Sequence, residues 1–228
     1  MDILGKLKGK IVVSSQAMPD EPLYREECML AMMASVVNGG AAALRVAGAR
    51  DVKNAKKHFD IPVIGLTKPE KLPENWCEIV YITPDKKAVL ELIEADADII
   101  ALDATMRPRP NCTLKELIEL IHNSKKLVMA DISTLEEATN AEKLGADIIS
   151  TTLAGYTLES GEPTDGPDYE LLKEIVKVVK KPVILEGRIW EPKEVKKAFE
   201  LGAHCVVIGS AITRPQHITN RFVNWDLK

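Results

Sequence analysis

Gln16, Arg45, Lys68, Asp103, Asp131 and Glu186 each close a short apolar run or stand just beyond one, and Thr151-Thr152 and Gly209-Ser210 end two more such runs. This set of side chains suits proton transfer. A lysine in a dry pocket can shed its charge and act as a base or as a Schiff-base nucleophile, and a buried carboxylate can have its pKa raised into a useful range. An arginine among them offers a fixed positive charge for a developing oxyanion. Any one of these residues alone is equally well read as a salt-bridged rim residue. The whole ring is not.

A second group suits an anion. Glu186-Gly187-Arg188 and Gly209-Ser210-Ala211 are turns in which glycine lets backbone N–H groups approach a ligand closely. Arg188 or Arg214 adds the planar fork that matches phosphate. Gly187, Gly209, Ser210 and Arg214 are therefore the expected phosphate-binding residues.

The elements that must hold these groups repeat. Gly39-Gly40-Ala41, Asp96-Ala97-Asp98, Gly145-Ala146-Asp147 and Gly202-Ala203-His204 each precede an apolar run, and Ile61-Pro62-Val63, Lys126-Leu127-Val128 and Lys181-Pro182-Val183 open runs between them. The spacing predicts strands at Ile11–Gln16, at Ala43 ending on Arg45, and at Pro62–Leu66. Further strands are predicted at Ile99–Leu102, Leu127–Ala130, Ile148–Ser150, Val183–Leu185 and Cys205–Ile208. Helical patterns separate them: from Asp20–Pro22 to Asn38, Asp51 to His58, Tyr169 to Lys180, and Pro192 to Gly202. Thr113-x-x-Glu116 and Ser133-x-x-Glu136 read as capping boxes. Glu78–Ile82 reads as a short extra strand outside the series, with Thr83-Pro84 opening the next helix. Eight strand–helix units predict one (β/α)8 TIM barrel over residues 1–228, whose chemistry sits at the C-terminal strand ends. The long loop Ala154–Pro167 would cover that face.

Composition agrees with this and excludes other classes. The chain has 228 residues, near the lower size for such a barrel, and its aromatic content of 4% requires an aliphatic core. A net charge of −4 without a basic stripe argues against nucleic acid. Asp2, Lys6, Lys8 and Lys10 break the start of the chain, so neither a signal peptide nor a membrane span is expected. Cys28, Cys77, Cys112 and Cys205 are scattered, as reduced thiols in a cytoplasmic protein would be. His58 and His122 fall on helices, while His204 and His217 flank the last strand, so no histidine reaches the catalytic face. Asp103 with Asp131 could hold magnesium, but no spacing demands it, and neither metal nor cofactor is expected.

Together the strand-end motifs resemble the N-acetylmannosamine-6-phosphate 2-epimerase family. They are Ser15-Gln16-Ala17, Gly40 through Arg45, Ile61 through Gly65 with Lys68, Ala101 through Thr105, Ala130 through Thr134, Ser150 through Thr157, Glu186-Gly187-Arg188 and Ala211 through Pro215. The resemblance implies a ribulose-phosphate-binding-like barrel that epimerises a sugar phosphate at C2, in amino-sugar and sialic-acid breakdown. It implies Lys68 and Glu186 as the catalytic pair, with Gln16, Arg45, Asp131 and Arg188 around the sugar. Pro69 departs from the family pattern, where a basic residue is expected after the lysine. Two other readings stay open on the residues alone: a Schiff-base aldolase using Lys68, and a sugar-phosphate sensor without catalysis. Exposed apolar helix faces on such barrels often pair, so a homodimer is expected.

Overall fold

The structure, a computed structural model, describes residues 2–225. Eight parallel strands close into a barrel: β1 (Ile11–Ser15), β2 (Ala43–Ala47), β3 (Val63–Leu66), β4 (Ile99–Asp103), β5 (Leu127–Asp131), β6 (Ile148–Ser150), β7 (Val183–Glu186) and β8 (Cys205–Ile208). β8 pairs back onto β1 through Val12 and Val207, so no edge is left open. Around them lie α1 (Ile3–Leu7), α2 (Glu26–Asn38), α3 (Ala49–His58), α4 (Lys86–Glu94), α5 (Leu114–Asn123), α6 (Leu135–Leu144), α7 (Tyr169–Val178), α8 (Pro192–Glu200), α9 (Ser210–Thr213) and α10 (Pro215–Val223).

The strand period of two sorts each strand onto two cores. Leu44, Val46, Val63, Ile100, Leu102, Val128, Ala130, Ile149, Leu185 and Val206 face outward and pack against the helices. Val12, Ala43, Ile64, Ile99, Ala101, Met129, Ile148, Ile184, Cys205 and Val207 fill the barrel interior, with Leu7 of α1 among them. Full burial of an aliphatic side chain contributes about 1.5–3 kcal/mol, so these layers carry the stability. The inward parity also places the chemistry. Counting in twos from interior positions reaches Gln16, Arg45, Lys68, Asp103, Asp131, Thr152, Glu186 and Gly209.

Several local expectations need correction. Strand β2 runs past Arg45 to Ala47, which sets Arg45 inside the barrel rather than on its rim. Pro22–Tyr24 forms a single 3-10 turn, and extended Arg25 delays the start of α2 to Glu26. Glu78–Ile82 is not a strand. Val80 and Ile82 are buried, but their backbone bonds go to separate places, Val80 N–H to Pro108 and the Ile82 carbonyl to Asp103 N–H. Thr83 does not cap α4, because its hydroxyl donates to the Ala101 carbonyl at 2.7 Å and accepts from Thr67 N–H at 3.0 Å. Asp85 caps α4 instead, accepting from Ala88 N–H. The box at Thr113 and Glu116 forms as expected, whereas the next one is shifted by one residue to Thr134 and Glu137. Glu137 is buried and also receives Ser133 N–H and Oγ, so α6 starts at Leu135.

Candidate active site

The C-terminal mouth of the barrel opens into a cavity of about 580 Å³, within the range of small-ligand sites. Gln16, Arg45, Lys68, Glu186, Gly187, Arg188, Gly209, Ser210 and Arg214 all line it. Asp131 lies just beneath, reached through Arg45.

Arg45 is the hub. It is 2% exposed, donating through Nη1 to Glu186 Oε1 at 2.6 Å and through Nη2 to Asp131 Oδ2 at 2.5 Å. Thr152, the inward residue after β6, joins the same two carboxylates from the other side. Its hydroxyl lies 2.7 Å from Asp131 Oδ1 and 3.0 Å from Glu186 Oε2, with Ser150 Oγ at 2.9 Å. A threonine hydroxyl has one proton to donate. Two short contacts to carboxylates are both satisfied only when one carboxylate carries a proton of its own. Burial pushes Asp131 upward, to about 7; Arg45 opposes that shift and Glu186 reinforces it. Burial thus favours the protonated form of Asp131 in this cluster.

Lys68 stands across this cluster and makes no hydrogen bond or ion pair among the described residues. Its side chain is exposed to solvent in the open cavity, and its ammonium group is only partly desolvated by the barrel mouth around it. That loss of hydration, aided by repulsion from Arg45, brings its pKa down to about 8 against the pull of Glu186 and Asp131. Near neutral pH a larger share of such lysines is uncharged than of ordinary ones. Gln16 donates to Ser14 Oγ at 2.9 Å, while its Oε1 is buried without a partner. That atom is an acceptor aimed at a group the protein itself does not supply.

Gly187 has φ +114°, and a Cβ there would meet nothing within 4 Å, so its backbone is open to the cavity. Ser210 starts α9, whose first N–H groups lack intrahelical partners as at any helix start. Arg214 pairs with Glu21. Arg188 lines the cavity, but its guanidinium bonds inward to the loop after β6: Nε to the Gly166 carbonyl at 2.8 Å, Nη1 to that of Ala154 at 2.8 Å and Nη2 to Thr164 Oγ1 at 3.1 Å. The structure therefore brings Gln16, Arg45, Lys68, Glu186, Gly187, Gly209, Ser210 and Arg214 around one cavity, with Asp131 joined to it through Arg45 and Arg188 tied to the loop.

Asp103 belongs to a different network. It is fully buried and bound by Arg107 Nη2 at 2.6 Å, with Thr105 Oγ1 also at 2.6 Å. Arg107 continues to the Trp76 carbonyl and Arg109 to those of Asp103 and Pro84, fastening the irregular 69–82 segment to β4. Sequence reasoning missed the bridging role of Thr152 and the Glu21 partner of Arg214. Parity along β6 would have found the first; nothing local announces the second. Among the described residues, no group of three or more His, Cys, Asp or Glu side chains gathers as metal ligands, and no helix is long and apolar enough to cross a membrane.

The family model described as "Putative N-acetylmannosamine-6-phosphate epimerase" matches residues 29–226. A Clostridium perfringens protein named "Putative N-acetylmannosamine-6-phosphate 2-epimerase" is 49% identical over 224 residues, which is 97% of this chain and 99% of the relative. A relative of the same name from Caldanaerobacter subterraneus is 49% identical over 99% of this chain and 94% of its own length. The solved structure of the N-acetylmannosamine-6-phosphate 2-epimerase from Clostridium perfringens superposes with a TM-score of 0.93 at 48% identity, covering 99% of this chain and 96% of that one. Thiamine phosphate pyrophosphorylase from Pyrococcus furiosus, with a TM-score of 0.61 at 20% identity over 96% of this chain and 93% of its own, shares the fold alone.

Proposed function

The chain belongs to the N-acetylmannosamine-6-phosphate epimerase family, and from that premise we propose how its mouth residues divide the work of a C2 epimerase. The enzyme interconverts N-acetylmannosamine 6-phosphate and N-acetylglucosamine 6-phosphate, a step in amino-sugar breakdown. The two sugars differ only in configuration at C2. That carbon gives up its proton readily only when C1 is an aldehyde, so the ring must open first.

The observation that carries the assignment is an unpartnered Lys68 in the same mouth cavity as a carboxylate pair that shares one arginine and one hydroxyl. Neutral Lys68 takes the C2 proton. Glu186, with one oxygen on Arg45 and the other on Thr152, moves protons at the ring oxygen and the C1 hydroxyl or returns one to C2. Asp131 stores the shared proton, and Arg45 keeps the two carboxylates together while its charge favours the enediolate. General acid–base help supplies roughly 10²- to 10⁴-fold, so the fixed charges and substrate positioning account for the rest. Gln16 Oε1 accepts from a sugar hydroxyl or the acetamido N–H. The phosphate is held by Arg214 and the backbone of Gly187, Gly209 and Ser210, which line the same cavity. Arg188 shapes the sugar end by holding the covering loop.

The four free cysteines support a reducing, cytoplasmic setting. Buried Cys205, pushed up to about 12 by desolvation, stays a thiol. Exposed Phe222, Val223 and Trp225 at and after the end of α10 support a homodimer, which sedimentation would test.

The test of the chemistry is incubation of N-acetylmannosamine 6-phosphate with the enzyme in heavy water, read by NMR at C2. Deuterium should enter C2 of both epimers with the native protein and not with Lys68→Ala. Exchange that persists in Lys68→Ala would remove Lys68 from the role of base. Ligand binding with no exchange in the native protein would leave a sensor rather than an enzyme.

A further inference from the structure

Arg214 sits at the junction of α9 and α10 and faces the cavity. Its Nη2 pairs with Glu21 Oε1, and the second carboxylate oxygen, Oε2, accepts from Met18 N–H at 3.2 Å. The two side chains are 26% and 15% exposed, and only Arg214 lines the cavity, so Glu21 holds the arginine from behind. Asp20 adds a further attraction on Arg214 at longer range. Nε of Arg214 is buried and has no partner among the described residues, so at least one donor of the guanidinium is left for a group outside the protein.

We propose that Glu21 is a positioning residue for the phosphate group: it fixes Arg214 in its binding rotamer and ties it to the loop that carries Gln16 and Met18. The proposal rests on Arg214 being the phosphate ligand. A free arginine must surrender much rotamer freedom when it captures an anion, and a carboxylate behind it removes that freedom beforehand. Both oxygens of Glu21 are used, one on Arg214 and the other on Met18 N–H, and both of those residues line the cavity. The phosphate end and the Gln16 end of the substrate are thereby joined through a single strut. A glutamine at position 21 keeps the shape but has only one acceptor oxygen, and its amide N–H groups would face a donor. One of the two links must then break.

The experiment measures inorganic phosphate binding by calorimetry, and steady-state kinetics with N-acetylmannosamine 6-phosphate, on the native enzyme, Glu21→Gln and Arg214→Ala. Glu21→Gln should weaken phosphate about tenfold, the scale of one charge-assisted hydrogen bond, and raise KM by a similar factor with little change in kcat. Hydrogen exchange of the Met18 segment should quicken, while binding of unphosphorylated N-acetylmannosamine should not change. Native-like phosphate affinity in Glu21→Gln, with binding lost in Arg214→Ala, overturns the role of Glu21 alone. Tighter phosphate binding in Glu21→Gln also overturns it, making Glu21 a competing counter-ion. Native-like affinity in Arg214→Ala overturns the phosphate assignment on which the proposal stands.

Discussion

Asp103 and Asp131 are register partners at the ends of neighbouring strands, and each is bound by a different arginine: Asp103 by Arg107, Asp131 by Arg45. Two carboxylates side by side at a barrel mouth are what a divalent cation would ask for. Here each already has a cation at 2.6 Å or less and a threonine hydroxyl as well. A metal would have to displace both arginines and leave their charges buried. Activity should therefore survive exhaustive EDTA treatment followed by buffer exchange. Loss on chelation that a single divalent ion restores would mean that these ion pairs open in the working enzyme.

The pH profile should report Lys68. With its pKa brought from the ordinary 10.5 to about 8, the neutral base is the minority form below that pH and the majority above it. Thus kcat/KM should rise with pH and level off beyond about pH 8, as a base in the free enzyme requires. The same displacement has a stability sign. Charged Lys68 costs the folded state something below pH 8, and this cost fades as pH rises from 8 to 10.5, where the unfolded chain also loses its proton. Lys68→Met should abolish turnover and raise Tm slightly at pH 7, with the gain shrinking toward pH 10.5. A rate profile that is flat from about pH 6 to about pH 9 would place the base elsewhere.

Glu186→Gln separates chemistry from binding. The amide keeps the side chain near Arg45 and Thr152 but cannot carry a proton between substrate atoms. Turnover should drop by roughly 10²- to 10⁴-fold, with a much smaller change in KM. If KM alone suffers, Glu186 orients the sugar and Asp131 becomes the proton carrier.

Much of this site was legible because a strand has a period of two and a barrel has one mouth. Once Ile64 and Leu66 are interior positions, Lys68 must point the same way, and the same count delivers Arg45, Asp131 and Glu186. What the sequence could not reveal is who neutralises whom. Arg45 meets Asp131 and Glu186 only after β2, β5 and β7 curl around a common axis, and Glu21 finds Arg214 only because β1 and β8 are neighbours across the closure. The failed local readings share another cause. Thr83, Glu136 and the Glu78–Ile82 run carry the right residue types for caps or strands, but tertiary hydrogen bonds claim Thr83, and buried Glu137 outcompetes its exposed neighbour.

Arg188 gives the last test, because sequence position and geometry assign it different jobs. Beside Glu186-Gly187, it looks like a group that would touch the substrate directly. In the structure it spends Nε, Nη1 and Nη2 on Gly166, Ala154 and Thr164, and its guanidinium lies 5.6 Å over the Tyr156 ring. The loop it holds is tightly folded: Gly155 has φ +79°, and a Cβ there would stand 2.6 Å from Pro163 Cα. Removing the clamp should free this segment without touching the proton-transfer cluster. Arg188→Ala should therefore be cleaved faster by protease within residues 154–167, and Kd should rise by about tenfold for phosphorylated and unphosphorylated sugar alike. Limited proteolysis and calorimetry with both sugars check the two halves of this expectation. A loss confined to the phosphorylated sugar, with the loop still resistant, would move Arg188 from loop clamp to phosphate ligand beside Arg214.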